Sequence, residues 1–422
     1  MVRVYGEDYR RIHNPSAAQE TVLRHISTCR TAALGGHLEE CDSCAYRRIA
    51  YNSCRDRHCP KCQSRAQVEW ITGRLERLLP VPYFHVVFTI PDGLNPLALR
   101  NQKTVYDILF AAASQTLKAI AQDDKHLGAQ LGFTMVLHTW GQNLLFHPHV
   151  HCVVTGGGLS PDRTRWIASR ESYLFPVKVL GRLFRGKFLA MLDRAYQDSE
   201  LEFAGSTAEL ASPEEWSRFK DGLYKKDWVV YAKPPFGGPE QVFNYLGRYT
   251  HRIAISNHRI IDISDGKVSF SWKDYSDSSK KKVLRLDAVE FLRRFLLHVL
   301  PKGFVRLRHY GLYASSNVNT KLATARHLLM LPSEPSMPST SAPETAEPSS
   351  TSQPETAEPF STSQPETAEP LPWWERFREQ TGVDLLSCPS CTAGRMQRQR
   401  RLSPVEAALF AERLTAPKVD TS

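Results

Sequence analysis

Nowhere in its 422 residues does the chain carry an apolar run of about 18, the length a helix needs to cross a bilayer. Its first residues also lack the basic-then-apolar pattern of a secretory signal. These absences exclude an ordinary membrane-spanning helix and a membrane partner. They make a reducing, cytoplasmic location the expected one, nucleoid-associated if the partner is DNA. Positive charge is missing from one long stretch. No Lys or Arg occurs between Arg326 and Arg376, and residues 332–372 carry seven Glu (334, 344, 347, 355, 358, 366 and 369). Within that stretch PETAEP begins at Pro343, Pro354 and Pro365. Such a Pro/Ser/Thr/Glu repeat cannot bury a core, and a disordered linker is expected over 332–372. Without those seven acids the formal charge rises from +10 to about +17, an excess suited to a polyanion, most simply nucleic acid.

Cysteine is not scarce. Six of the nine crowd into Cys29–Cys62, two stand at Cys388 and Cys391, and Cys152 is alone. In a reducing compartment, clustered cysteines point to metal before disulfides. CDSC (Cys41, Cys44) and CPKC (Cys59, Cys62) are two C-x-x-C knuckles that can wrap one tetrahedral Zn²⁺. Cys29 and His37 precede the first knuckle, and Cys54 and His58 precede the second. Alternate pairs therefore suggest a cross-brace, with the knuckles on one zinc and Cys29, His37, Cys54 and His58 on another. A closed zinc site does no chemistry. It folds a short segment and presents Arg47, Arg48, Arg55, Arg57, Lys61 and Arg65 to DNA phosphates. CPSC at Cys388 and Cys391 is half a ribbon with no visible second half.

Periodicity indicates an α+β chain. Ser16 and Gln19 have capping-box spacing at a helix start. A basic helix is expected from Gln63, a strand over Tyr83–Ile90, a helix over Lys103–Gln122, and strands over Phe133–Trp140 and His149–Thr155, the last ended by Gly156–Gly158. Helices follow near 176–195 and 212–225, a strand over Asp227–Ala232, a short helix over Gly238–Tyr249, and a hairpin turning at Asp265-Gly266. GRLFRGKF (Gly181–Phe188) nearly matches a phosphate-binding loop. It lacks the Ser or Thr after Lys187 and has helical apolar spacing, so no nucleotide cofactor is expected.

In NLLFHPHVHCVVTGGGL (143–159), His149 and His151 project to one face of a strand, about 6.5–7 Å apart. Two such imidazoles can share a divalent cation, although H-x-H alone is common. NYLGRYTHR places Tyr245 and Tyr249 four apart on one helix face, with Arg248 and Arg252 beside them. Trp140, Trp228 and Trp272 are candidates for stacking on bases.

The segments YNSCRDRHCPKCQ (51–63), HTWGQNLLFHPHVHCVVTGGG (138–158), YLGRYTHRIAIS (245–256) and PKGFVRLRHYG (301–311) together resemble the rolling-circle transposases that combine a histidine–hydrophobic–histidine (HUH) site with paired tyrosines, the insertion-sequence group without terminal inverted repeats. The resemblance spans residues 15 to about 330 and, with the linker and tail read from composition, gives three regions followed by a tail. These are a zinc-ribbon-like DNA-recognition module (1–75), an HUH catalytic domain with an antiparallel sheet and helices on one side (80–330), the linker (332–372) and a C-terminal tail (373–422). It implies Mg²⁺ or Mn²⁺ on His149 and His151. A third ligand normally comes from the neighbouring strand, often as Glu. No Glu stands there, and His138 is the nearest match, with Gln142 behind it and His147 and His85 as weaker choices. It further implies attack of Tyr245 or Tyr249 on a DNA phosphate, a 5′-phosphotyrosine intermediate, and a substrate of single-stranded or hairpin element ends and target DNA. Arg248 and Arg252 could hold the phosphate or stabilise the phenolate. A zinc-ribbon DNA binder without catalysis and a plasmid-type replication initiator or relaxase are the alternatives. Nothing in the sequence gives an oligomeric state.

Overall fold

The computed structural model describes residues 1–62, 77–171, 173–233, 254–274, 277–330 and most of 372–415. Most of the basic helix expected from Gln63, the helix over Gly238–Tyr249 and almost all of the repeat stretch lie outside the described residues.

The chain opens with helices α1 (Val2–Ile12) and α2 (Ala17–Thr28). The start of α2 is fixed by a full capping box. The Gln19 amide N–H donates to Ser16 Oγ (3.3 Å), and the Ser16 N–H donates to Gln19 Oε1 (2.9 Å). Two short strands follow, β1 (Gly36–Cys41) and β2 (Arg47–Tyr51). The central sheet is built from β3 (Tyr83–Thr89), β4 (Gln130–Trp140), β5 (Phe146–Leu159), β6 (Trp166–Ala168), β7 (Val230–Lys233) and, much later, β11 (Leu307–Gly311). Its order is β11-β4-β5-β3-β7, with β6 paired to the end of β5, and every pairing is antiparallel.

Alternation along β5 divides the sheet into two chemistries. Val150, Cys152 and Val154 join Phe84, Val86 and Phe88 of β3 and Phe133, Met135 and Leu137 of β4 in the main core. Helices α3 (Asn95–Arg100), α4 (Gln102–Gln122), α5 (Val177–Gln197) and α6 (Pro213–Lys225) belong to this side. The opposite face carries the histidines. It also carries Val136 and Val153, which pack with Leu322 and Ala325 of α8 (Lys321–Met330). The expectation of helices on one side is thus corrected. Apolar side chains at one end of the histidine face also need cover, and α8 supplies it.

The glycines after Thr155 do not end β5, which runs on to Leu159. A Cβ at Gly156 would come within 2.8 Å of the Pro82 carbonyl, and one at Gly158 within 2.6 Å of the Gln130 carbonyl. Neighbouring backbone comes too close for side chains, so glycine permits pairing here instead of terminating it.

A second unit consists of β8 (Ile260–Ser264), β9 (Lys267–Asp274), β10 (Lys280–Asp287) and α7 (Ala288–Leu296). Asp265 and Gly266 both have positive φ (51° and 69°), which suits the expected tight hairpin turn. Phe270, Phe291, Leu292 and Leu296 form its core with Tyr9, Val22 and Leu23 of the first two helices. Finally β12 (Met396–Leu402) pairs antiparallel with β1, making a sheet ordered β12-β1-β2, and α9 (Pro404–Thr415) follows it. The tail expected over 373–422 therefore does not stand apart. Leu402 and Ala407 are buried against Leu38, with Ile49, Tyr51 and Phe410 packed around them. No helix among the described residues is long and apolar enough to cross a membrane.

Candidate functional site

On the central sheet His149 lies opposite His138 of β4 and Thr89 of β3, while His151 lies opposite Val136 and Val87. Residues directly opposed on antiparallel strands share a face, so three histidines meet. Their ligand atoms all lie within 4.8 Å of one another, and the side chains are nearly buried (His138 3%, His149 9%, His151 9% exposed). His138 stacks on Trp140, with ring centroids 4.4 Å apart.

Hydrogen bonds assign the lone pairs. The His149 Nδ1–H donates to the His147 carbonyl oxygen at 2.6 Å, which leaves Nε2 unprotonated. That Nε2 faces His151 Nε2 at 3.0 Å. Two nitrogen ligands at right angles, each about 2.1 Å from an octahedral cation, would be separated by about 3 Å, so the pair fits a shared ion. For His151 to offer Nε2, its proton must sit on Nδ1, which lies 2.8 Å from His85 Nε2. His85, a weak candidate for direct ligation, is placed behind His151 as an orienting acceptor. His147 belongs to β5, and its backbone carbonyl does the same for His149. We expect His85→Ala to weaken Mn²⁺ binding roughly 10- to 100-fold, as loss of such a partner typically does. Titration calorimetry showing unchanged affinity would remove that role from His85.

Burial keeps these imidazoles neutral, the form that binds metal. His149 is pushed down to about 3 by burial and then by neighbouring His147, and His151 well below the usual value by burial and then by His138. His85 is lowered to about 4 by burial and then by Lys233, and His298 to about 4 by burial. An unfolded imidazole titrates near 6.5, so below that pH the unfolded chain binds more protons than the folded one. Stability from these groups is complete above about pH 6.5 and falls as the pH drops toward 4. Thermal melts should show this loss beginning near pH 6.5, ahead of zinc release. A melting temperature constant from pH 7 to 5 would contradict it.

The cysteines form two clusters, neither of them as spacing suggested. Cys29, Cys54, Cys59 and Cys62 make one, and Cys41, Cys44, Cys388 and Cys391 make the other. In the first, Cys29 Sγ lies 3.5 Å from Cys62 Sγ and 3.6 Å from Cys59 Sγ, and Cys54 Sγ lies 3.6 Å from Cys62 Sγ. Four thiolates about 2.3 Å from a tetrahedral Zn²⁺ would be about 3.8 Å apart, so the set fits a structural zinc. The two knuckles therefore fall in different clusters, and CDSC, which follows β1, joins the C-terminal CPSC that precedes β12 on the same sheet.

Neither expected histidine joins a cysteine cluster. His37 lies in β1 opposite Ala50 and Arg401. His58 is buried. Its Nδ1 pairs with Asp56 Oδ1 at 2.9 Å, and its Nε2 accepts the Leu300 N–H at 3.4 Å. Burial acts to raise the Asp56 carboxyl, but hydrogen bonds from the His58 side chain and amide and from His25 hold it below the usual range. Arg57 also departs from its expected DNA role, since its guanidinium donates to the carbonyls of Phe304 (2.6 Å) and Pro301 (3.2 Å). With His58 it clamps the first zinc cluster onto the segment leading into β11. Arg47 and Arg48 pair with Glu40 (2.7 Å) and Glu39 (3.0 Å). Arg55 and Lys61 are exposed. Trp228 is buried in the main core, its indole N–H donating to the Leu223 carbonyl, so it is no stacking platform.

Tyr245, Tyr249, Arg248, Arg252 and Arg65 lie outside the described residues. The residues flanking the tyrosine segment are described. Lys233, at the end of β7, is paired with His85, whereas Ala254 and Ile255 are buried in the core against which Trp140 packs. One flank thus ends opposite His85, and the other begins in the cluster that Trp140, the stacking partner of His138, packs against.

Residues 132–321 match a family model described as "Putative transposase" with the label Y2_Tnp, and residues 1–90 match the "Transposase zinc-binding domain" of the IS91 type. The chain is 49% identical over 395 residues to "Putative transposase y4qJ" of Sinorhizobium fredii, covering 93% of this chain and 92% of that protein. It is 29% identical over 312 residues to "Transposase for insertion sequence element IS801" of Pseudomonas savastanoi pv. phaseolicola, covering 70% of each.

Proposed function

The chain belongs to the IS91-type transposase family, and from that premise we propose that it nicks and rejoins single-stranded DNA at element ends through a 5′-phosphotyrosine intermediate. The observation that carries the proposal is the pair of imidazole Nε2 atoms 3.0 Å apart, each with its other ring nitrogen occupied by an acceptor. His149 and His151, with His138 as the third ligand, would hold a divalent cation, which when bound withdraws charge from a phosphate oxygen. Three imidazoles without a carboxylate form a softer set than Mg²⁺ usually takes, and favour Mn²⁺ of the two ions expected.

The chain's own groups supply the rest. Tyr245 or Tyr249 forms a new bond from its phenolic oxygen to phosphorus. The bond to the 3′-oxygen breaks, the phenolic proton passes to solvent, and the released 3′-oxygen takes up a proton. The phosphodiester energy is retained in the tyrosyl ester, so a later 3′-hydroxyl can reverse the step without a nucleotide cofactor. Flanks anchored at Lys233 and at Ala254 support delivery of the tyrosine segment to the histidine face. The excess positive charge of the chain suits a DNA partner.

The test is a nicking assay on labelled single-stranded end sequences with Mn²⁺. Wild-type protein should yield a protein–DNA adduct on denaturing gels. His149→Ala with His151→Ala should lower the rate about 10³-fold, the equivalent of losing about 4 kcal/mol of transition-state stabilisation. Binding without nicking by the wild type would leave a zinc-ribbon DNA binder in its place.

A further inference from the structure

We propose that Cys41, Cys44, Cys388 and Cys391 hold a second zinc ion, in a ribbon assembled from the two ends of the chain. Cys388 and Cys391 fall outside both family-matched segments, 1–90 and 132–321, so the first knuckle finds its partner beyond the region those models cover.

The sulfurs are spaced for an ion. Cys41 Sγ lies 3.7 Å from Cys391 Sγ, and Cys44 Sγ lies 3.7 Å from Cys388 Sγ. These are close to the tetrahedral edge of about 3.8 Å. Backbone amides point at three of the sulfurs, as suits thiolates. Ser43 N–H donates to Cys41 (3.4 Å), Ser390 N–H to Cys388 (3.3 Å) and Gly394 N–H to Cys391 (3.3 Å). Both knuckles thus have the same local turn, built independently at sequence separations of 344 and 350 residues between partner sulfurs.

The surroundings are fitted to this meeting. Asp42 bridges the halves, its N–H donating to the Arg395 carbonyl (3.1 Å) and its Oδ1 accepting the Arg395 N–H (2.8 Å). A Cβ at Gly394 would overlap Cys41 Sγ and the Ser43 side chain, so only glycine lets the C-terminal turn approach the first knuckle. Immediately around the sulfurs the buried apolar groups are, among the described residues, Cys41, Cys388 and Met396 with Cys391 packed beside them, while the Leu38–Leu402–Ala407 cluster belongs to the same β1–β12 sheet. The ladder and the Leu38 cluster align the two ends, but so few apolar contacts at the knuckles leave the two turns themselves to be tied together by an ion.

Zinc per chain, measured on the full-length protein in reducing buffer, should be two. Cys388→Ser with Cys391→Ser should give one, and Cys54→Ser with Cys62→Ser should also give one. A wild-type count of one, or a count of two in the Cys388/Cys391 variant, would overturn the proposal. A second measurement does not depend on a variant folding. In zinc-loaded wild type, alkylation mapped by peptide mass spectrometry should spare Cys44, Cys388 and Cys391, although Cys44 is exposed. All three should become reactive in one step on chelation. Free alkylation of Cys388 and Cys391 before chelation would equally overturn it. Neither result depends on the tyrosine chemistry, so this proposal and the proposed function fail separately.

Discussion

Tyr245→Phe combined with Tyr249→Phe is expected to reduce nicking to background and abolish the covalent DNA adduct, while DNA binding and zinc content stay at wild-type levels. Phenylalanine keeps the aromatic ring and removes only the oxygen that would form the bond to phosphorus. Loss of a nucleophile is not compensated by the remaining machinery, and such losses run to several orders of magnitude. The single variants separate the roles of the two phenols. If one acts first, its loss stops the initial cut, and loss of the other spares cutting but blocks the second strand transfer. Gel-shift and adduct assays on the same preparations check both halves of the prediction. Nicking at the wild-type rate by the double variant would end the tyrosine mechanism while leaving the family membership untouched.

The second large effect is expected at the first cysteine cluster. Cys59→Ser should empty it and unfold the loop that carries Cys54, Cys59 and Cys62 at 25 °C, while the β1–β2 pair and its own knuckle stay folded. The region between Cys29 and Cys62 buries few apolar side chains, and structural zinc supplies roughly 10–16 kcal/mol of apparent binding energy in such modules. This compares with a total stability of about 5–15 kcal/mol for an ordinary domain. The consequence should also reach the catalytic side. Cys59 follows Arg57 and His58, which grip Pro301, Phe304 and Leu300. Just beyond them the Arg306 carbonyl accepts the Leu137 N–H at 2.8 Å, immediately before His138. Limited proteolysis should cut within 52–62 in the variant, and Mn²⁺ affinity should fall as well. A variant with wild-type zinc content and a melting temperature within about 2 °C of wild type would refute the assignment.

What could be read from the sequence, and what could not, follows the range of the interactions. The histidine face was legible because a period of two writes sidedness directly into a strand, and His149 and His151 needed no distant information. The Ser16/Gln19 cap and the Asp265-Gly266 turn are likewise local. C-x-x-C knuckles announce metal but not their partners, since each pair is chemically alike. The choice was made by the β1–β12 ladder across more than 340 residues. The role of His85 is invisible along its own strand, because it depends on the β3–β5 register, which sets it diagonally across from His151. By spacing alone Arg57 belongs to a surface and His58 to a ligand set. Docking against residues 300–304 turned both into clamps, and no spacing rule encodes that.

The position of β5 inside the sheet has a consequence for how the molecule opens. Around His149 and His151 the strand is paired on one side to β3 and on the other to β4, so it has no free edge there. Amide protons at 149–154 should therefore exchange with solvent among the slowest in the protein, whereas those of the cysteine-bearing ends escape once zinc is withdrawn. A chelated molecule would then come apart at its periphery while its cation-binding strand persists, ready to be recharged without refolding.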